Sequence, residues 1–213
     1  RVGTLVSVPL NSLVVLRDGP IRTISDLKGK KIGFSVGGFE EALLSGMLQK
    51  YNLKMSDVDL VNINFSLSPS LITKKVDAVI GAFRNFELNQ MDIVNHPGRA
   101  FYPEEHGVPT YEELIYIANQ KNKNNPLFDK FFSAIQKATL TIINDPVSTW
   151  KDFSSFRKGL DDELNKRAYK DTISRFSLRP QAHDIKTYKN FSNFLKRKGI
   201  IKKITKVETF AKP

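Results

Sequence analysis

The sequence predicts an α/β fold built on a parallel sheet, and three observations carry the prediction. Short, apolar, β-prone runs recur at residues 32–36, 58–64 and 76–82, each too brief for a stable helix. Between them lie segments whose apolar residues repeat at helical spacing. The first such strand meets its helix at a double glycine, Gly37-Gly38, where the backbone reaches angles that other residues resist. Strand alternating with helix implies parallel strands joined by right-handed crossovers.

Taken in order, residues 1–8 and 13–16 read as two β segments broken at Pro9-Leu10-Asn11, and Asp18-Gly19-Pro20 is a turn. Ser25 is placed to cap a short helical turn that Gly29 ends. After residues 32–36 and the glycines, the helix starts at Phe39. Phe39, Ala42, Leu43 and Met47 share one side, with Leu44, Leu48 and Tyr51 beside it. Residues 58–64 are the next strand, with Val58, Leu60 and Ile63 apolar. Ser68-Pro69 reads as an N-cap with proline at the first helical position, opening a short helix to about Lys74. Residues 76–82 are the third strand, and residues 83–88 open another helix. Three prolines and two glycines make residues 96–111 extended or looped. Residues 114–118 read as a strand. The remainder is helical, at 128–143, 147–156, 161–176 and 188–198, the last closed by Gly199.

The composition narrows the function classes. Forty per cent hydrophobic and 26% charged residues describe an ordinary globular chain. No apolar run approaches the roughly 18 residues of a membrane span. The absence of cysteine excludes thiolate metal sites, disulfides and cysteine nucleophiles. The net charge of +11 is uneven: residues 1–119 hold 12 basic and 13 acidic side chains, and residues 120–213 hold 21 and 9. No nucleic-acid motif accompanies that basic excess, so it reads as a solvated helical exterior and no nucleic-acid partner is expected. His96, His106 and His183 lack metal-ligand spacing. No serine stands in a Gly-x-Ser-x-Gly elbow. Nothing in the residues requires catalysis, so a binding protein is expected.

In open parallel sheets a ligand binds beyond the carboxyl ends of the strands. Three such ends carry an aromatic beside a small or polar residue: Gly37-Gly38-Phe39, Asn64-Phe65-Ser66 and Phe83-Arg84-Asn85. A flat ring suits such a place. The turn around Gly37 lacks the spaced glycines of a dinucleotide fingerprint and the Lys-Ser/Thr of a P-loop. Glu40 and Glu41 complement the helix dipole there and compete with a bound anion. A neutral or amine-bearing ligand is therefore favoured over a phosphate.

Five segments together resemble one family: residues 9–15, 31–41, 81–91, 104–114 and 162–168. The chain is identified as a member of the NMT1/THI5-like group of ABC-transporter substrate-binding proteins, close to bacterial members that bind pyrimidine precursors of thiamine. The resemblance implies a type II periplasmic-binding fold of two α/β lobes joined by crossing strands, with the ligand between them. One lobe would be residues 27–109. The other would combine residues 1–26 with 110–213, residues 111–118 being the return crossing.

Relatives carry a further half-lobe before the position of Arg1, so the first lobe is expected to lack its N-terminal part and to leave an edge open to self-association. The resemblance further implies an aminopyrimidine cargo, an ABC permease as partner, an extracytoplasmic location with a membrane anchor in the longer protein, and no cofactor, metal or catalytic residue. The expected ligand-binding residues are Asn11, Gly37, Gly38, Phe39, Asn64, Phe83, Asn85, Glu104 and Tyr111. Glu104 would accept a hydrogen bond from an exocyclic amine. The alternatives are a THI5-type enzyme of thiamine-pyrimidine synthesis, whose fungal members carry a cysteine-rich iron motif not found here, and the same receptor fold with a cargo such as a sulfonate.

Overall fold

The computed structural model describes residues 1–211, with strands β1 (Gly3–Val6), β2 (Asn11–Leu16), β3 (Lys31–Phe34), β4 (Asp59–Asn62), β5 (Ala78–Phe83), β6 (Gly98–Phe101) and β7 (Leu114–Tyr116). The helices are α1 (Phe39–Lys50), α2 (Leu67–Ile72), α3 (Glu87–Ile93), α4 (Leu127–Asn144), α5 (Pro146–Ser155), α6 (Glu163–Ile173), α7 (Ile185–Arg197) and α8 (Val207–Phe210). They divide into two units.

The first unit comprises Leu10–Pro109 and Ser192–Lys203. Its sheet runs β4-β3-β5-β2-β6. The three strands read from apolar runs, β3, β4 and β5, are parallel, whereas β2 is antiparallel to both of its neighbours. The sheet is therefore mixed rather than wholly parallel. The same pairing corrects the expected lobe boundary. Residues 10–26 belong with 27–109, because Leu13, Val14 and Val15 are buried between β5 and β6. Strand β6 lies within residues 96–111, where the sequence predicts an extended or looped segment. Gly98 lets it lie close to β2, since a Cβ there would come within 2.8 Å of Val14.

Two caps also differ from expectation. Thr23 rather than Ser25 precedes the 3-10 turn Ile24–Leu27, with Asp26 accepting the Thr23 N–H at 2.8 Å. Ser66 rather than Ser68 precedes α2, which puts Ser68 inside the helix. The helix expected from residue 83 begins at Glu87 because β5 continues through Phe83. Under α2 and α3, Val14, Ile63, Leu67, Leu71, Val79 and Met91 form a continuous apolar core, the burial that stabilises the sheet. Helix α1 is buried along Ala42, Leu43, Leu44, Met47 and Leu48, the apolar set expected from its spacing. At Gly46 the Phe194 ring comes so near that a Cβ would stand 2.8 Å from it.

The second unit comprises Arg1–Pro9, Thr110–Phe191 and the chain from Ile204 on. Strands β1 and β7 pair antiparallel. Phe132 of α4 fills the space above Gly3, packs edge-on against Tyr116 and is buried. Trp150, Phe153 and Tyr169 stack α5 on α6. The Glu112 carboxylate accepts hydrogen bonds from the Thr4 hydroxyl at 2.6 Å and the Tyr188 hydroxyl at 2.5 Å. Burial, then the adjacent Glu112, pushes the Tyr188 phenol well above its ordinary range.

Candidate ligand site

The carboxyl ends of β3, β4 and β5 lie along one edge of the first unit's sheet. The antiparallel register brings the start of β2 and the end of β6 to the same edge, Asn11 opposite Phe83 and Leu13 opposite Phe101. Asn11, Gly37, Gly38, Phe39, Asn64, Phe83, Asn85 and Glu104 therefore gather there. Tyr111 does not: it belongs to the second unit, where it is buried and stacked on Phe191 at 4.7 Å.

Several of these residues are occupied by the scaffold. Asn11 is 2% exposed, and its Oδ1 accepts the Gly81 N–H at 3.1 Å. The Gly38 N–H donates to Glu41 Oε2 at 2.7 Å. Asn85 is buried, and its carbonyl accepts from the Asn89 amide at 3.1 Å. Glu104, expected to take a ligand amine, is held by Arg84 through both oxygens at 2.6 and 3.0 Å. Arg84 in turn donates to the Leu10 and Asn11 carbonyls and lies 4.0 Å from the Tyr102 ring centre. This cation–π contact and fork tie β2, β5 and β6 together. His106 is likewise structural. Its Nδ1 meets the Tyr51 hydroxyl at 2.7 Å, and burial, then the Lys50 charge, lowers its pKa.

What remains open is a concavity of about 380 Å³ between the β4–α2 turn and the start of α3. Asn64, Phe65, Ser68, Phe86, Glu87 and Gln90 line it. Phe65 is 74% exposed and sits at φ 63°, directly after Asn64 at φ 47°. Two consecutive non-glycine residues in the left-handed region are rare, and such strain clusters at ligand sites. The Phe65 N–H is held by Ser35 Oγ at 3.0 Å and the Asn64 N–H by Asn62 Oδ1 at 3.0 Å, so the turn presents its ring rather than collapsing. The Ser68 hydroxyl is buried and has no hydrogen-bond partner among the described residues.

Glu87 is the titratable group of this wall. Its Oε2 accepts the Phe83 N–H at 2.6 Å, and burial pushes its carboxyl above the usual range despite that bond. Glu87 is not among the residues that the sequence singles out. The signal was its place four residues after the strand-ending Phe83. A second cavity, of about 470 Å³, opens beside Asp18, Lys74 and His96. It lies at the opposite end of the strands, away from the edge where such sheets bind ligands. Among the described residues no group of three His, Asp or Glu is placed to hold a metal ion.

A family model described as NMT1/THI5 like matches residues 1–149. The chain belongs to the NMT1/THI5-like family. It is 45% identical over 212 residues to a putative thiamine biosynthesis protein of Haemophilus influenzae, covering 99% of this chain and 68% of that one. Two more distant members of the NMT1/THI5-like family differ in what their names describe. The 4-amino-5-hydroxymethyl-2-methylpyrimidine phosphate synthase of Schizosaccharomyces pombe is 27% identical over 93% of this chain and 60% of its own length. The formylaminopyrimidine-binding protein of Halalkalibacterium halodurans is 26% identical over 68% of this chain and 44% of its own length.

Among solved structures, the alkanesulfonate-binding protein SsuA of Xanthomonas axonopodis pv. citri, bound to MOPS, matches with a TM-score of 0.69 at 15% identity. That match covers 97% of this chain and 72% of SsuA. The chain thus has the α/β fold of the solute-binding receptors of ABC importers. Among the described residues no helix is long and apolar enough to cross a membrane.

Proposed function

We propose that this chain is the solute receptor of an ABC importer, acting outside the cytoplasm with a membrane permease as partner, and that its cargo is an aminopyrimidine precursor of thiamine. The observation that carries the reading is Glu87, a half-buried carboxyl with a raised pKa in a concavity edged by the Phe65 and Phe86 rings. A 4-aminopyrimidine edge offers one N–H donor beside one ring-nitrogen acceptor. A carboxyl whose proton is easily retained complements both: one oxygen accepts from the amine and the other shares a proton with the ring nitrogen. The aromatic rings supply a stacking surface. In this reading Phe83 and Asn64 frame the site, and Arg84 with Glu104 fixes its backbone. The names of the Haemophilus and Halalkalibacterium relatives support a thiamine-related pyrimidine.

The test is calorimetric titration with 4-amino-5-hydroxymethyl-2-methylpyrimidine and with its formylamino counterpart. One-to-one binding with Kd on the order of micromolar or tighter, and recovery of unaltered ligand, is the expected result. Absence of binding at millimolar ligand would overturn the cargo. The synthase relatives define a second reading, and formation of a pyrimidine phosphate by the purified protein would replace the receptor with it.

A further inference from the structure

From residue 185 to residue 207 the chain carries eight basic side chains and no acidic one. Two of them, Arg197 at the end of α7 and Lys198 just after it, lie in the first unit beside the last turns of α1. There they line an open concavity of about 580 Å³ with Ser45, Gln49, Asn52 and Lys54. The Lys198 ammonium is fixed in place: it donates to Ser45 Oγ at 3.0 Å and to Gln49 Oε1 at 2.8 Å. Burial, then the Arg197 charge, lowers its pKa. Among the described residues no carboxylate forms an ion pair with Lys54, Arg197 or Lys198. Asp57, the acid of the neighbouring turn, is taken up by the Lys54 N–H at 2.8 Å.

Cations often complement open carbonyls at a helix C-terminus. Here backbone N–H groups already close both ends. The Leu48 and Gln49 carbonyls of α1 accept from Tyr51, Leu53 and Asn52, and the Phe194, Leu195 and Lys196 carbonyls of α7 accept from Lys198, Ile200 and Gly199. The hydrogen-bonding sense of the wall is one-sided. An ammonium only donates, so Lys198 occupies acceptor atoms of Ser45 and Gln49. What those side chains chiefly still offer is the Ser45 O–H and the Gln49 amide N–H groups. Arg197 and Lys54 offer donors only. Such a surface, with three positive charges and no counter-charge, complements a group that accepts at several atoms and is itself negative. A phosphate does so, its oxygens meeting a guanidinium and ammonium groups at once. A neutral ligand would leave the Arg197–Lys198 repulsion in place.

We propose that the concavity between the end of α1 and the end of α7 is a binding site for a phosphate group, held by Lys54, Arg197 and Lys198 with the Ser45 hydroxyl. Free phosphate and the head group of an anionic lipid share this chemistry. The site has no residue in common with the concavity at Phe65 and Glu87, and it does not depend on what occupies that one.

The test titrates the full chain with inorganic phosphate by calorimetry and, in parallel, sediments it with vesicles of phosphatidylglycerol or of phosphatidylcholine. Both are done at about 0.15 M ionic strength, where exposed charges more than roughly 8 Å away are screened. Wild type is expected to bind phosphate at one site with Kd on the order of a millimolar or tighter, or to sediment with phosphatidylglycerol and not with phosphatidylcholine. The first result alone assigns free phosphate, the second alone assigns the lipid head group, and both together assign either source. Arg197→Gln combined with Lys198→Gln should weaken the binding seen by about ten-fold or more. Lys186→Gln combined with Lys189→Gln removes the same charge from the exposed first half of α7. That pair lies at least about 12 Å along the helix from Arg197 and should change binding by less than about two-fold. An equal loss in the two double variants, or none in either, would overturn the site. So would failure of both phosphate and phosphatidylglycerol vesicles to bind wild type. Should the variant at 197 and 198 lose its native circular dichroism, Arg197→Gln alone, at an exposed position, must weaken binding by about three-fold or more, and unchanged affinity there overturns the proposal.

Discussion

Arg84 and Glu104 meet fork to fork, Nη1 to Oε1 at 2.6 Å and Nη2 to Oε2 at 3.0 Å, with the side chains only 7% and 26% exposed. The pair joins the turn after β5 to the turn after β6, and the same arginine reaches the backbone before β2. Its role is to fix the edge on which a ligand would rest.

Replacing Glu104 with glutamine is therefore expected to act on stability first. One hydrogen bond survives and the charge is lost, so about 2 kcal/mol of unfolding free energy should disappear. Urea denaturation measures it. Pyrimidine affinity at a temperature where the variant remains folded should change by less than about three-fold.

Substitutions at Glu87 should separate binding from stability in the opposite way. The folded-state pKa of Glu87 is raised by burial. Its contribution to stability is thus present below the unfolded carboxyl pKa, near 4.5, and is lost as pH rises through the folded value. At neutral pH the glutamine variant should be as stable as wild type or more so, and this advantage should fade below about pH 4.5. Pyrimidine affinity should hold within about three-fold in Glu87→Gln, whose amide offers the same acceptor and donor, and fall by about ten-fold or more in Glu87→Leu, which offers neither. Denaturation curves across pH, paired with titration, check both halves.

Gly81→Ala combines a forbidden backbone angle with a clash against Glu40. A loss of about 3 kcal/mol is expected. Adding Glu40→Ala removes the clash and not the backbone strain, so the double variant should recover part of the loss. A double-mutant cycle with zero coupling would show that the two residues do not compete for one space.

His106 should confer acid sensitivity on the first unit. Burial, then Lys50, lowers its pKa below 6.5. The stability it contributes is present above the unfolded value and is lost as pH falls through the folded one. His106→Gln should flatten the stability profile below about pH 6.5, read from thermal unfolding midpoints.

The legible parts of this fold were those whose signal is local. β5 appears in the sequence as an unbroken apolar run because it is buried along nearly its whole length, and β3 and β4 as shorter apolar runs beside it. The direction of β2 was not legible, because nothing in Leu13-Val14-Val15 says that its partners are residues 78–83 and 98–101. β6 was lost among prolines: Pro97 and Pro103 bracket a four-residue strand whose Gly98 and Arg99 carry no β signal. The edge proposed for the ligand follows from where the strands end, which is a property of topology. The individual side chains did not follow. Glu40 reads as an exposed dipole partner until Gly81 opens room for it, and Glu104 reads as a free acid until Arg84 takes it. Ser68 reads as a cap until the helix is seen to begin at Leu67.

The central place of β2 bears on how the chain is made. The Ser12 hydroxyl bonds the Ala82 carbonyl, 70 residues later. At typical rates of translation that interval lasts roughly 4 to 14 seconds. Throughout it Leu13, Val14 and Val15 leave the ribosome with neither neighbouring strand complete. Those three apolar side chains are therefore exposed to aggregation for seconds during synthesis, a hazard that the finished sheet no longer shows.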